Sequence, residues 1–360
     1  MKVYFYPHAY LRDRQIDTIR HWPSNQIVNP ELAENRLGAQ VSSDKSVGRK
    51  FQLSWKQRLP LLNIKRRPPG ASDDAVVYVW GAVMASGPYI VDIDNPWSLV
   101  GYNIGAMSIY RPILKHMLLD ARCHEIRCMS NACRESLRLL FGHQVWTKAR
   151  VSYPLIEQKI SDPPQVHPNE ARFLFVGTQF EIKGGEALLK AFSEVYARQK
   201  ACRLDIVTHM PEEFENRARS CAGIFLHQAN FSRAEIHDRF MRNADILVLP
   251  TYVDSFGMVI LEALSHGLAV IATDVYAIKE MVIQGQNGDL LDPPISIWDG
   301  CWPSASYRDL ANIKSRIRSV DKTEFEKRLA VAMQRFVIDS AWRLCARRAS
   351  IDLMSSRFSC

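Results

Sequence analysis

The clearest pattern lies in the second half of the chain, where short apolar runs alternate with longer stretches of helical period. "ARFLFVGT" (171–178), "CRLDIVTH" (202–209), "GIFLHQ" (223–228), "DILVLPT" (245–251) and "LAVIAT" (268–273) are nearly continuous in apolar residues, as strands buried on both faces must be. Between them "EALLKAFSEVYARQ", "PEEFENRARSCA", "SRAEIHDRFMRNA", "MVILEALSHG" and "YAIKEMVIQG" predict helices. Ser232 followed by Glu235 has the spacing of a capping box. Strand and helix in strict alternation predict a doubly wound parallel sheet.

The first half is less regular. "KVYFY", "AVVYVWG", "YIVDID" and "HEIRCMS" have the composition of strands, with helices expected around 104–120 and 131–140. Residues 8–70 carry many prolines and little periodicity. The expected layout is an α/β domain over 1–158, a polar, proline-rich linker over 159–170, a second domain over 171–320, and closing helices over 321–360. A chain of 360 residues fits two domains better than a single core.

Composition narrows the class. An apolar content of 47% describes a globular protein, and no apolar run reaches the ~18 residues that span a bilayer. The opening "MKVYFYPHAY" predicts a first strand rather than a signal peptide, so a cytoplasmic protein is expected. Cys123, Cys128 and Cys133, near His116 and His124, follow no common zinc spacing and are expected to be packed thiols.

The formal charge of +8 has a local origin. Lys45, Arg49, Lys50, Lys56, Arg58, Lys65, Arg66 and Arg67 lie among Phe51, Leu53, Trp55, Leu59, Leu61, Leu62 and Ile64, with no acid between 45 and 67. Cations around an apolar, aromatic face suit an anionic membrane surface. A basic helix packed on its own domain is the plainer reading. Nucleic acid is not expected as a partner, because no recognised nucleic-acid motif accompanies the charge.

Two strand-to-helix junctions carry the chemistry. After "FLFVGT", with Gly177 and Thr178 at its end, comes "FEIKGG", where Lys183, Gly184 and Gly185 open a helix. Glycines permit close approach of the backbone, and a helix start with a lysine favours phosphate. After "DILVLPT" comes "YVDSFG", which presents Asp254 and the backbone donors of Ser255, Phe256 and Gly257. Glu262 follows inside an otherwise apolar helix. A carboxylate there needs hydrogen-bond donors, which either ribose hydroxyls or a neighbouring backbone or Arg group would supply.

In order, "VG", "KGG", "ADILVLPT", "DSFGMVILEALSHGLAVIAT", "KEMV" and "QNGDLLDP" resemble the nucleotide-sugar domain of glycosyltransferase family 4. The resemblance is close over roughly 171–293, looser over the closing helices and faint in the first half. It implies the GT-B fold, two Rossmann-like domains facing across a cleft, and a retaining transfer from a nucleotide diphosphate sugar without cofactor or metal. The family's two acids, eight positions apart, fall on Asp254 and Glu262, with an Asp where Glu is usual. By carry-over Asp254 touches the transferred sugar, Glu262 the ribose, and Lys183 the leaving diphosphate. Gly177, Thr178, Gly184, Ser255, Phe256 and Gly257 would line the donor, and Glu280 would border the nucleotide pocket.

Two departures stand out. The family's second phosphate cation, usually an Arg five residues before the Lys, is replaced by Thr178, and the glycine-rich turn after the first strand is absent. Acceptor-side candidates are His8, Asp92 and Asp94, beside the aromatic residues Trp80, Tyr89, Trp97 and Tyr102. Asp92-Ile93-Asp94 is a literal Asp-x-Asp, as in metal-dependent transferases of the other architecture, but an acid contacting the acceptor or capping a turn is the preferred reading. The resemblance implies a glycan or lipid-linked acceptor and a cell-surface product, with the enzyme held at the inner membrane face through 45–67. The alternatives are an epimerase or phosphorylase-like enzyme on the same fold, or a non-catalytic binder of nucleotide sugar or membrane.

Overall fold

The computed structural model describes residues 1–6, 11–33, 61–163, 170–308 and 312–358. The chain divides after Leu155 into two compact units, with Asp299–Pro303 returning to the first. His8 and the basic stretch 45–60 lie outside the described residues.

The amino-terminal unit contains β1 (Val3–Tyr6), α1 (Asp13–Arg20), β2 (Ile64–Lys65), β3 (Val76–Trp80), β4 (Val83–Met84), β5 (Tyr89–Ile93), α2 (Ile104–Leu119), β6 (Cys123–Cys128), α3 (Asn131–Phe141), α4 (His143–Lys148) and β7 (Ala149–Val151). A five-stranded sheet runs β1-β3-β5-β6-β7, every neighbouring pair parallel. Its order does not reverse among the described strands. Because side chains alternate across a strand, Phe5, Tyr78 and Ile90 share the face that packs on Ile16 and Ile19 of α1. On the opposite face Cys133 of α3 lies against β5, its thiol 3.5 Å from the Ile93 carbonyl. Buried apolar surroundings, the first cause, push this thiol far above its ordinary range, so it is a packing group.

The carboxyl-terminal unit contains β8 (Ala171–Val176), α5 (Gly185–Arg198), β9 (Cys202–Thr208), α6 (Glu212–Arg219), β10 (Ile224–Gln228), α7 (Arg233–Arg239), β11 (Ile246–Leu249), α8 (Met258–Ser265), β12 (Ala269–Thr273) and β13 (Gly288–Leu291), then α9 (Ile313–Ser319), α10 (Thr323–Ile338) and α11 (Ser340–Leu353). Its six strands are parallel in the order β10-β9-β8-β11-β12-β13. The chain starts in the middle at β8, winds outward to β10, then returns to β11 and winds the other way. Strand order therefore reverses between β8 and β11. Open parallel sheets bind ligands outside the carboxyl ends of their strands at such a point.

The predicted helix over 276–285 is not formed. Only Ile278–Glu280 make a single tight turn. Tyr276 has φ +50° and Gly285 φ +72°, values a helix excludes. Asn287 takes the Ile283 N–H and donates to the Met281 carbonyl, tying the backbone into a loop instead. The closing helix α11 is anchored by two buried guanidiniums: Arg347 reaches Asp245 at 2.7 Å and the Gly267 carbonyl, and Arg343 the Phe336 carbonyl.

Candidate donor site

The loops after β8 and β11 meet at the reversal point. Gly184 stands at φ +78°, and a Cβ there would lie 2.0 Å from the Pro250 carbonyl oxygen, so only glycine lets the two loops touch. Tyr252 N–H donates to the Ile182 carbonyl, adding a backbone bond between them. Gly177, at the end of β8, has the stem of Lys183 across it; a Cβ would meet Lys183 Cγ at 3.2 Å. The stem so supported carries its ammonium to Asp254.

Lys183 Nζ donates to Asp254 Oδ2 at 2.7 Å and to the Val253 carbonyl at 3.1 Å. Asp254 Oδ1 accepts from the N–H groups of Phe256 (3.1 Å) and Gly257 (2.8 Å). Burial alone would raise the Asp254 carboxyl, but the Lys183 ammonium and these two backbone donors outweigh it and hold it below its usual range. The backbone donors that Phe256 and Gly257 were expected to offer to a ligand are thus both engaged by Asp254. The short aspartate arm explains this. It closes onto amides two and three residues ahead in a turn that leads into the helix. Ser255 completes the turn, and Gly257 takes φ +85° to start α8.

Glu262 lies on α8, half-buried among apolar neighbours. Arg233 Nε, at the first position of α7, donates to its Oε1 at 2.7 Å. Of the two donors anticipated, an arginine is the one in place. Thr178 is exposed, and Glu280 sits half-buried on the turn after β12, its carbonyl accepting from Arg357 at 3.0 Å. Gly177, Lys183, Gly184, Asp254, Phe256 and Gly257 are therefore brought together, Glu262 stands further along the same helix, and Glu280 belongs to the next loop of the same sheet edge.

Sequence reasoning missed four contributors. Trp298 Nε1–H donates to the Asp254 carbonyl at 2.9 Å, and its ring stacks on Tyr276 at 4.1 Å. Arg233 is the second. His237 and His266 form a buried pair beside Glu262, 3.1 Å apart. The His266 in "LEALSHG" was visible in the motif, but nothing local marks its partner 29 residues earlier.

In the amino-terminal unit, Asp92 ends β5 with both oxygens engaged: Oδ1 accepts from Arg14 at 3.0 Å and Oδ2 from Tyr78 at 2.6 Å. Asp94 follows the strand and accepts from Tyr102 and Asn95 instead. The two carboxylates thus take separate partners. Trp80, Tyr89 and Trp97 are core residues. A pocket lined by Arg14, Trp22, Tyr78, Asp92, Arg127 and Tyr153 opens beside Asp92. Arg127 lies over the Trp22 ring at 4.5 Å. Among the described residues no group of three or more His, Cys, Asp or Glu is placed to hold a metal ion.

Residues 170–297 match the model of the family Glycosyl transferases group 1. The match takes in the strands β8 to β13 and the loops that bear Lys183 and Asp254. A D-inositol 3-phosphate glycosyltransferase of Arthrobacter sp. (strain FB24) is 31% identical over 127 residues, covering 33% of this chain and 30% of that protein. A glycogen synthase of Mycobacterium tuberculosis (strain ATCC 25618 / H37Rv) is 31% identical over 108 residues, covering 29% and 23%. The matched stretch is thus less than a third of either relative. In fold, the glycosyltransferase likeness extends further. The Anabaena protein HepE in complex with UDP matches with a TM-score of 0.54 at 14% identity, over 79% of this chain and 74% of its own. WaaG, a glycosyltransferase involved in lipopolysaccharide biosynthesis, matches with a TM-score of 0.52 at 14% identity over the same shares. The fold is the GT-B fold of these glycosyltransferases, and the segment that matches the group 1 family model lies in its carboxyl-terminal unit.

Proposed function

We propose that the protein is a retaining glycosyltransferase that moves a sugar from a nucleoside diphosphate sugar to a hydroxyl of a glycan or lipid-linked acceptor of the cell surface. The observation that carries this reading is the Lys183–Asp254 pair at the reversal point, with Glu262 inside the helix that follows the Asp254 turn. Lys183 neutralises the departing diphosphate, the part a metal ion plays in other transferases. A carboxylate has about four acceptor sites, so Asp254 can hold Lys183 and the helix start and still accept a sugar hydroxyl. Glu262 reads the ribose.

In the transfer the bond between the anomeric carbon and the β-phosphate oxygen breaks, and its electron pair leaves with the diphosphate. The acceptor oxygen bonds to the same face of the anomeric carbon, and its proton passes to the departing phosphate oxygen. No side chain is assigned as a base. The acceptor is assigned to the amino-terminal unit, at the pocket beside Asp92, where aromatic walls and a carboxylate suit a sugar or polyol ring.

A panel of UDP-, GDP- and ADP-sugars scored by thermal shift tests donor binding, followed by turnover with a lipid-linked glycan acceptor. Binding without transfer, or donor cleavage unchanged in Lys183→Ala and Asp254→Ala, would overturn the assignment. Attachment to anionic membrane through 45–67, from the cytoplasmic side, is a further part of the proposal. Of that segment Arg67 is committed to the Ser72 and Ala75 carbonyls, whereas Arg66 is exposed, so the informative variant is Arg66→Gln. It should lower co-sedimentation with anionic liposomes at low salt. Among the described residues no helix is long and apolar enough to cross a membrane.

A further inference from the structure

We propose that Arg233 and the His237–His266 pair are positioning residues that aim the Glu262 carboxylate at the hydroxyls of a ribose, so that the site selects ribonucleotides over deoxyribonucleotides. The inference rests on the donor reading above and concerns how the acid is held.

Two groups converge on one oxygen of Glu262. Arg233 Nε is 2.7 Å from Oε1, and His237 Nε2 is 4.0 Å from the same atom. His237 is 8% exposed and His266 is 4% exposed. His237 Nδ1 lies 3.1 Å from His266 Nε2, the rings meeting edge to face. Burial first, then neighbouring groups, among them Lys159, lower both imidazoles to about 4, with Asp238 acting against the shift. Both rings are neutral near pH 7, so each carries one N–H.

The tautomers follow from the charges. Were His237 to donate from Nδ1, its Nε2 lone pair would face a carboxylate oxygen at 4.0 Å, which is repulsive. With His266 Nε2–H donating to His237 Nδ1, the His237 proton sits on Nε2 and points at Glu262. That Nε2 atom is buried and makes no hydrogen bond in the structure. The gap of 4.0 Å exceeds a hydrogen bond, and about 1 Å of carboxylate movement closes it. Arg233 and His237 then fix the carboxylate from one side, leaving acceptor capacity for two hydroxyls.

A pair that merely packs the core would affect every nucleotide alike; a pair that aims Glu262 affects only those with the hydroxyls. Calorimetric titration of UDP and GDP against their 2′-deoxy counterparts separates the two. The wild-type chain should bind the ribo form about tenfold or more tighter, the scale of one hydrogen bond to a charged group. His237→Leu and Arg233→Met should bring the ratio down to within about threefold of unity, a collapse of the same hydrogen-bond scale, by weakening the ribo form alone. His237→Gln, which keeps an N–H near Nε2, should restore most of it. Arg233 is partly exposed, so its variant carries the test if His237→Leu does not fold. Equal weakening of ribo and deoxy forms, or an unchanged ratio, overturns the inference. If the wild-type chain binds both forms alike, the inference falls and the donor reading stands. If it binds no nucleoside diphosphate, both fall.

Discussion

The two units are built from the same parts and differ in the order in which those parts are laid down. In the carboxyl-terminal sheet strand order reverses between β8 and β11, so two loops leave neighbouring strands in opposite directions, the arrangement in which open parallel sheets take their ligands. Lys183 from one loop and Asp254 from the other meet there at 2.7 Å. In the amino-terminal sheet the described strands proceed in one direction, and no such divergence occurs. Asp92 at the end of its strand is instead held by Arg14 and Tyr78 from within the unit. Similar chemistry at a strand end thus has different consequences. Lys183 and Asp254 join two diverging loops, whereas Arg14 and Asp92 tie α1 to the sheet and line the pocket beside it.

The largest expected effect comes from closing the reversal point. Gly184→Ala places a methyl group 2.0 Å from the Pro250 oxygen as well as in a left-handed backbone, and should cost more than ~3 kcal/mol. Chemical denaturation would show it as a lowered midpoint. A midpoint within a few tenths of molar of wild type would mean that the loops are not in register as described.

Next are the charges. Lys183→Ala should lower kcat/KM about a hundredfold or more, as loss of one transition-state donor does. Asp254→Ala should do the same while also losing about 1 kcal/mol from the turn bonds to Phe256 and Gly257. Asp254→Asn keeps those bonds and removes the charge, so it should restore stability without activity. The matching change in the other unit, Asp92→Asn, leaves Arg14 without its counter-charge and should destabilise by about 3 kcal/mol. Donor affinity should be unchanged in any folded fraction. A stable Asp92→Asn with raised acceptor KM would show that its carboxylate serves the acceptor more than the sheet.

The smallest effect concerns pH. His237 and His266 are lowered to about 4 from an ordinary value near 6.5. The unfolded chain therefore binds protons between pH 6.5 and 4 that the folded chain refuses, and stability falls as pH drops through that window. Each ring contributes at most about 1.4 kcal/mol per unit of separation. The Tm should decline by several degrees from pH 7 to pH 5, roughly 2–4 °C per kcal/mol. His237→Leu/His266→Leu should flatten that slope, and an unchanged slope would place the proton uptake elsewhere.

The contrast between the units also explains what could be read from the chain. The strands of the carboxyl-terminal unit were legible because a parallel sheet buried on both faces demands continuous apolar runs, and "ILVL" and "AVIAT" are buried throughout. Its site was legible because the chemistry falls at the junctions of those strands with helices. The turn after β12 was misread as a helix: "YAIKEMVIQG" has helical period, and the Asn287 bonds that undo it are made from outside the run. Arg233 and His237 were missed for the same kind of reason, since a contact across 29 residues leaves no mark on local pattern. That Asp254 would spend one oxygen on Phe256 and Gly257 follows from its short arm, a fact present in the sequence whose consequence needed the backbone to show it. In the amino-terminal unit Asp92 was one of the acids singled out, while its binding to Arg14 from α1 lay beyond what spacing reveals.

The contact between Gly184 and the Pro250 carbonyl has a bearing on how such a protein can be altered. Because the backbones of the two loops touch, neither can be lengthened, shortened or exchanged for another without displacing its neighbour. The loops behave as one interchangeable cassette: residues 177–185 and 250–257 must be transplanted together or not at all. Changes of substrate preference within this scaffold are therefore to be sought in side chains around the cassette, Arg233, Trp298 and Glu280 among them, rather than in its length.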